Sequence, residues 1–186
     1  RPRESEIESV RDQIRFASES SFKGTLHIAH ISTSGALSLV KEAKEKGKIR
    51  ITTGATAHHA LLNYSSENQI LRMNPPLRSE EDRLSIFNGL LTGDIDWIES
   101  DHAPHTLQDK MEGKCGIPGF EGTLLLIEEL RRNGIKEERL SALLSSNISS
   151  AFGIEESKMG VPAITEEMKK KAASAYPFSP WASRKR

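Results

Sequence analysis

The sequence has no excess of either charge. Lys and Arg together number 26, and so do Asp and Glu, so no overall positive field exists to hold a nucleic-acid backbone or an anionic membrane. Neither is an expected partner. Cysteine is nearly missing: Cys115 alone leaves no internal disulfide and points to a reducing, cytoplasmic setting. Apolar content, at 36%, is below the globular average while the charged share, 28%, is ordinary, which predicts a folded chain with a small core. The longest purely apolar run lies near Leu124 to Ile127, far short of a membrane span, and nothing resembles a signal peptide. The 186 residues suffice for one ordinary domain but not for the roughly 250 of a closed eight-stranded α/β barrel. With Arg-Pro-Arg at one end and Ser-Arg-Lys-Arg at the other, the chain reads as a segment of a longer polypeptide.

What is present alternates between strand and helix. Ile7, Val10, Ile14 and Ala17 recur at helical spacing behind Pro2, with acidic residues in the first turns where the helix dipole favours them, predicting a helix over about 3–19. TLHIAHI (25–31) reads as a strand and leads into a helix through Leu37, Val40 and Ala43 that stops at Gly47. IRITTGAT (49–56) is a second strand, followed by a long loop carrying Asn74-Pro75-Pro76, in which Pro76 forces Pro75 out of helical geometry. Ser79 caps a helix to about Leu91, and DWIES (96–100) is a third strand. A glycine-rich loop (111–123) precedes helices over about 123–133 and 136–146, and the tail from Ala163 holds one short helix. Strands separated by helices imply a parallel sheet and an α/β fold, with too few strands to close a barrel. The domain boundary expected is a partial barrel over 1–162 and a C-terminal tail over 163–186, packed on the barrel or on a small domain outside this chain. The aromatic surface of YPFSPW needs such cover. The charged stretches Lys41 to Lys48 and Lys169 to Lys171 read as solvated helix faces.

In parallel α/β architectures the loops beyond the carboxyl ends of the strands form the site, and the unusual residues gather there. His30 ends the first strand, His58 and His59 follow the second, and Asp101, His102 and His105, in the motif SDHAPH, follow the third. Strand alternation sets Leu26, Ile28 and His30 on one face and His27, Ala29 and Ile31 on the other. His30, last on its strand, is the better placed to reach the strand ends. If Asp101 points inward, Trp97 and Glu99 share its face, and an inward Glu99 requires the last residues to leave regular pleating. A carboxylate and imidazoles at strand ends suit zinc, which accepts oxygen and nitrogen ligands and acidifies a bound water. Taken singly, each has a plainer reading: a polar Asx-type turn for SDHAPH and a solvated pair for His58-His59.

The order HIAHIST, HH, MNPPLR, SDHAPH and GIPGFEG resembles the dihydroorotases of the amidohydrolase superfamily from about Arg3 to about Gly153, and YPFSPW is similar to that family's tail. The resemblance implies an α/β fold that is part of a (β/α)8 TIM-type barrel, holding its last three strands with their helices. It implies a zinc-dependent cyclic amidohydrolase that reversibly hydrolyses dihydroorotate to N-carbamoyl-aspartate in pyrimidine biosynthesis. Carried over residue by residue, it makes His30 and Asp101 metal ligands, Asp101 also the catalytic proton shuttle, and Asn74, His105, Cys115 and Gly116 substrate contacts. Ala57 stands where the family has proline before His58-His59, and those histidines receive no ligand role. The family's His-x-His pair, bridging carboxylate, further strand-end histidine and substrate-binding arginine would lie upstream of Arg1, so one or two Zn2+ ions would draw remaining ligands from outside this chain. The partners implied are a small-molecule substrate, the missing N-terminal half of the barrel, and a homodimer or an aspartate transcarbamoylase. Two other readings compete: an allantoinase or hydantoinase, against which the asparagine of MNPPLR speaks, and a non-catalytic dihydroorotase-like structural partner, against which the retained ligands speak.

Overall fold

The computed structural model describes residues 1–64, 68–156 and 160–182. It is a mixed α/β fold around a three-stranded parallel sheet in the order β1 (Thr25–Ile28), β2 (Arg50–Thr56), β3 (Trp97–Glu99). Helix α1 (Arg3–Glu19) precedes the sheet, α2 (Ser34–Lys46) links β1 to β2, and α3 (Ala57–Leu61) and α4 (Glu80–Thr92) lie between β2 and β3. Beyond β3 come α5 (Leu107–Met111) and α6 (Phe120–Arg132), then a helical stretch of α7 (Glu137–Ser141), a π-helical turn over Ala142–Ser146 and α8 (Asn147–Phe152). Helix α9 (Glu166–Ser174) follows.

Local chemistry explains most of these bounds. Thr33, Ser79 and Thr165 cap α2, α4 and α9 through their side chains, and left-handed Gly47 and Gly93 end α2 and α4, the usual division between the two helix ends. Two short helices escape the expected pattern. Thr56 caps α3, while Thr106 and Asp109 form a reciprocal capping box on α5, so a Thr-x-x-Asp spacing directly after SDHAPH was the available signal. Helix α6 starts three residues earlier than expected, at Phe120.

The strands are staggered. β1 pairs with the first half of β2 (Thr25 with Arg50, Ile28 with Thr53), whereas β3 pairs with the second half (Gly54 with Trp97, Thr56 with Glu99). A stagger of this kind is what tilts strands in a closing barrel. The register sorts the two faces. Ile28, Ile51, Thr53, Ala55 and Ile98 are buried on the side of the main hydrophobic core. His27, Thr52, Gly54, Thr56, Trp97 and Glu99 share the opposite side.

Tyr176 and Trp181 find cover within the chain. Trp181 is buried against Gly122 of α6, where any Cβ would lie 2.0 Å from its ring, and Tyr176 Oη lies 2.7 Å from His102 Nε2. The charged stretches are more than solvated faces: Lys44 pairs with Asp96 at 2.7 Å and Lys169 with Glu128 at 2.9 Å. Among the described residues no helix is long and apolar enough to cross a membrane.

Candidate active site

Three segments meet beyond the carboxyl ends of the strands, and two of them turn there in the same unusual way. His30 has φ of 38° and Asp101 φ of 40°, left-handed conformations that non-glycine residues adopt sparingly and that gather at functional sites. The expected first strand therefore stops early, at Ile28 rather than Ile31. Alternation alone would have turned His30 toward the core with Ile28; the left-handed turn is what brings it to the strand end. His27 is the histidine that regular pleating presents on the face shared by Thr52 and Glu99.

The turn at His30 is held from outside. On the β1 side, Glu6 of α1 accepts from Ser32 N at 2.8 Å, Thr33 N at 3.0 Å and Thr33 Oγ1 at 3.1 Å, and its other oxygen meets Ser32 Oγ. Arg78, buried, donates from Nε to Ser32 Oγ at 3.0 Å and pairs with Glu6. The segment HIST is thus clamped between α1 and the end of MNPPLR, in which the Asn74–Pro75 peptide is cis.

Glu99 does point inward, and the reason it can is Gly54. Its Oε1 lies 2.7 Å from His27 Nε2 and its Oε2 accepts the backbone N–H of His30 at 2.5 Å. To make these contacts the side chain crosses β2 over Gly54, where a Cβ would stand 2.3 Å from Oε1. His27 stacks on Trp97 with ring centroids 4.4 Å apart, and its Nδ1 lies 3.0 Å from Thr52 Oγ1. Burial works against the carboxylate, yet the His27 ring and the His30 amide hold the pKa of Glu99 below its usual value.

His58 and His59 are not solvated; both are buried in α3, directly behind β2. Ala57, where the resembling family has proline, is the first residue of that helix, a position that tolerates either. His59 is fully satisfied as a neutral ring: Nε2 donates to Pro75 O at 3.0 Å and Nδ1 lies 2.9 Å from Thr56 Oγ1. Burial pushes its pKa down to about 4. His58 differs, because both ring nitrogens are buried with no hydrogen-bond partner and Nε2 stands 4.0 Å from Asp101 Oδ2. Burial first, then the neighbouring His59 and His30, press its pKa well below the ordinary value. His30 Nδ1 is likewise buried without a partner. Such orphaned nitrogens call for an explanation.

The remaining candidates form a second group. His105 Nε2 donates to Cys115 O at 3.0 Å, and Gly116, at φ of 128°, lies so close to Ala103 that a Cβ would meet Ala103 Cβ at 2.7 Å. Gly116 N donates to Arg72 O at 3.0 Å, which ties the Cys115–Gly116 loop to the segment leading into exposed Asn74. His102 belongs to the scaffold: it stacks on Phe120 at 3.9 Å, accepts Gly119 N–H on Nδ1 at 3.1 Å and meets Tyr176 through Nε2.

For a metal the fit is partial. His30 and Asp101 offer one nitrogen and one carboxylate at the strand ends, and the unpartnered His30 Nδ1 is chemically suited to such a role. Among the described residues no group of three His, Cys, Asp or Glu side chains converges closely enough to hold an ion. A catalytic zinc usually has three protein ligands. The residues present therefore do not make a complete metal site by themselves.

Comparison with known proteins agrees with the geometry. No family profile matches the chain. A dihydroorotase of Bacillus cereus (strain B4264) is 37% identical over 142 residues, which cover 72% of this chain and 33% of the relative. Thus the chain spans about a third of the length of the curated relatives it matches. In three dimensions it superposes on a D-hydantoinase (dihydropyrimidinase) from Thermus sp. with TM-score 0.77 and 24% identity, covering 88% of this chain and 38% of the other. A dihydroorotase of Saccharomyces cerevisiae in complex with 5-fluoroorotic acid gives TM-score 0.65 and 18% identity, covering 78% and 43%. At these identities the structures establish the fold.

Proposed function

This chain is a homologue of the dihydroorotases over most of its length, and from that premise we propose that it forms the last three strand-helix units of a (β/α)8 cyclic amidohydrolase that opens dihydroorotate to N-carbamoyl-aspartate and closes it again. The observation that carries the reading is the meeting of His30, His58 and Asp101 at one end of the sheet, with two left-handed turns and buried ring nitrogens that have no partner.

In this reading His30 and Asp101 help to hold zinc, whose contribution when bound is to acidify a water and polarise the ring carbonyl. The chain's own residues do the rest. The Asp101 carboxylate takes a proton from the attacking water and returns it to the departing ring nitrogen, acting as base and then as acid. Water adds across the C–N bond, so a carboxylate and a terminal NH2 replace the ring amide and one proton is released to solvent. His58, whose neutral form burial favours, stands beside Asp101. Asn74, His105, Cys115 and Gly116 bind and orient the anionic ring.

Turnover of dihydroorotate by the full-length polypeptide tests the proposal. Ring opening supports it; hydrolysis of a hydantoin with dihydroorotate untouched would keep the reaction class and overturn the substrate. No hydrolysis of any cyclic amide would overturn both.

A further inference from the structure

Lys110, in α5, has lost the water that an ammonium ordinarily keeps. It is wholly buried, and its Nζ donates to three backbone carbonyls: Arg72 O at 2.7 Å, Gly116 O at 2.7 Å and Lys114 O at 2.8 Å. An ammonium has three protons to give, so each has one acceptor. Burial still presses its pKa below the ordinary lysine value, as expected for a charge met by dipoles alone. The carbonyls it gathers come from two separate segments. Arg72 leads into Asn74, whereas Lys114 and Gly116 flank Cys115. Gly116 N joins the same knot through Arg72 O, and His105 reaches it through Cys115 O.

We propose that Lys110 is a positioning residue for substrate binding, clamping the 72–74 segment to the 114–116 loop so that Asn74, His105, Cys115 and Gly116 face the substrate as one surface. The inference rests on the function proposed above. Its physical basis is that the three carbonyls are turned toward one cation. The N–H on the far side of each trans peptide points the opposite way, so the N–H groups of Met73, Cys115 and Ile117 face away from the ammonium. Hydrogen bonding to the cation polarises those peptide units, which makes their outward N–H groups better donors. An apolar side chain of the same length could fill the space but could neither join the segments nor polarise them.

The test uses the full-length protein with Lys110→Met and Lys110→Gln, and has two readouts. One is steady-state turnover of dihydroorotate; the other is the rate at which iodoacetamide alkylates Cys115, followed on the peptide that contains it. For Lys110→Met, KM is expected to rise about ten-fold or more while kcat stays within about three-fold, the signature of lost binding rather than lost chemistry. Alkylation of Cys115 is expected to quicken about five-fold as the loop opens more often. Lys110→Gln, which keeps two donors, should show smaller changes of both, and it carries both readings if Lys110→Met yields no soluble protein. An unchanged KM with lowered stability overturns the positioning role, and an unchanged alkylation rate overturns the clamp. If the unaltered protein opens no dihydroorotate, the proposed function fails while the alkylation rate still decides the clamp.

Discussion

Glu99 on β3 reaches His27 on β1 at 2.7 Å by passing over Gly54 on the strand between them. Three residues on three strands thus form one unit, and the carboxylate's second oxygen fixes the backbone of His30.

Gly54→Ala is expected to destabilise the protein by about 1–3 kcal/mol, because the new methyl overlaps the Glu99 side chain. Glu99→Ala should cost a similar amount by leaving the His30 amide and the His27 ring without their acceptor. The double substitution removes the overlap as well as the acceptor, so denaturant unfolding should show a cost below the sum by about 1 kcal/mol or more. Additive costs would contradict the crossing.

Stability is expected to fall with pH on the acid side of neutrality. His59 binds a proton near pH 4 in the folded protein against an ordinary value of 6.5, so between those values the unfolded chain binds more protons than the folded one. The stabilisation is complete above 6.5 and is lost as the pH drops toward 4, with His59 alone contributing a loss of about 2 kcal/mol between pH 7 and pH 5. His58 acts in the same direction. Unfolding midpoints at the two pH values, compared with those of His59→Gln, measure it. An equal pH dependence in the variant would contradict the assignment.

The tail should be anchored more by Trp181 than by Tyr176. Trp181→Ala empties the space against Gly122 and is expected to cost about 3–5 kcal/mol. Tyr176→Phe removes one hydrogen bond to His102 and should cost about 1 kcal/mol. Thermal unfolding of the two variants gives the order directly, and a larger loss from Tyr176→Phe would reverse it.

Much of this was legible in the sequence, and what was not has physical reasons. The helix ends at Ser79 and Gly47 are local, so spacing announced them. The left-handed turns at His30 and Asp101 carry no such signal, since neither residue is a glycine, and the first strand was accordingly read three residues too long. The Glu99 crossing needs three strands in register before Gly54 acquires a meaning. His58 read as solvated because polarity, taken locally, says nothing of what later covers a short helix. Lys110 sits between Asp109 and Met111-Glu112 in a polar stretch, and only the return of Arg72 and Gly116 to its side makes it a buried cation. The homology to dihydroorotases was carried by motif order, which survives when single residues such as Ala57 change.

The central claim is that Asp101 moves the proton in a cyclic-amide hydrolysis to which this chain gives one part of the site. The most direct measurement is the rate of dihydroorotate ring opening by the full-length protein and by its Asp101→Asn variant, with circular dichroism showing that the fold is kept. The expected result is turnover by the unaltered protein and its loss, by about 100-fold or more, in the folded variant. Turnover by Asp101→Asn at a comparable rate would contradict the claim.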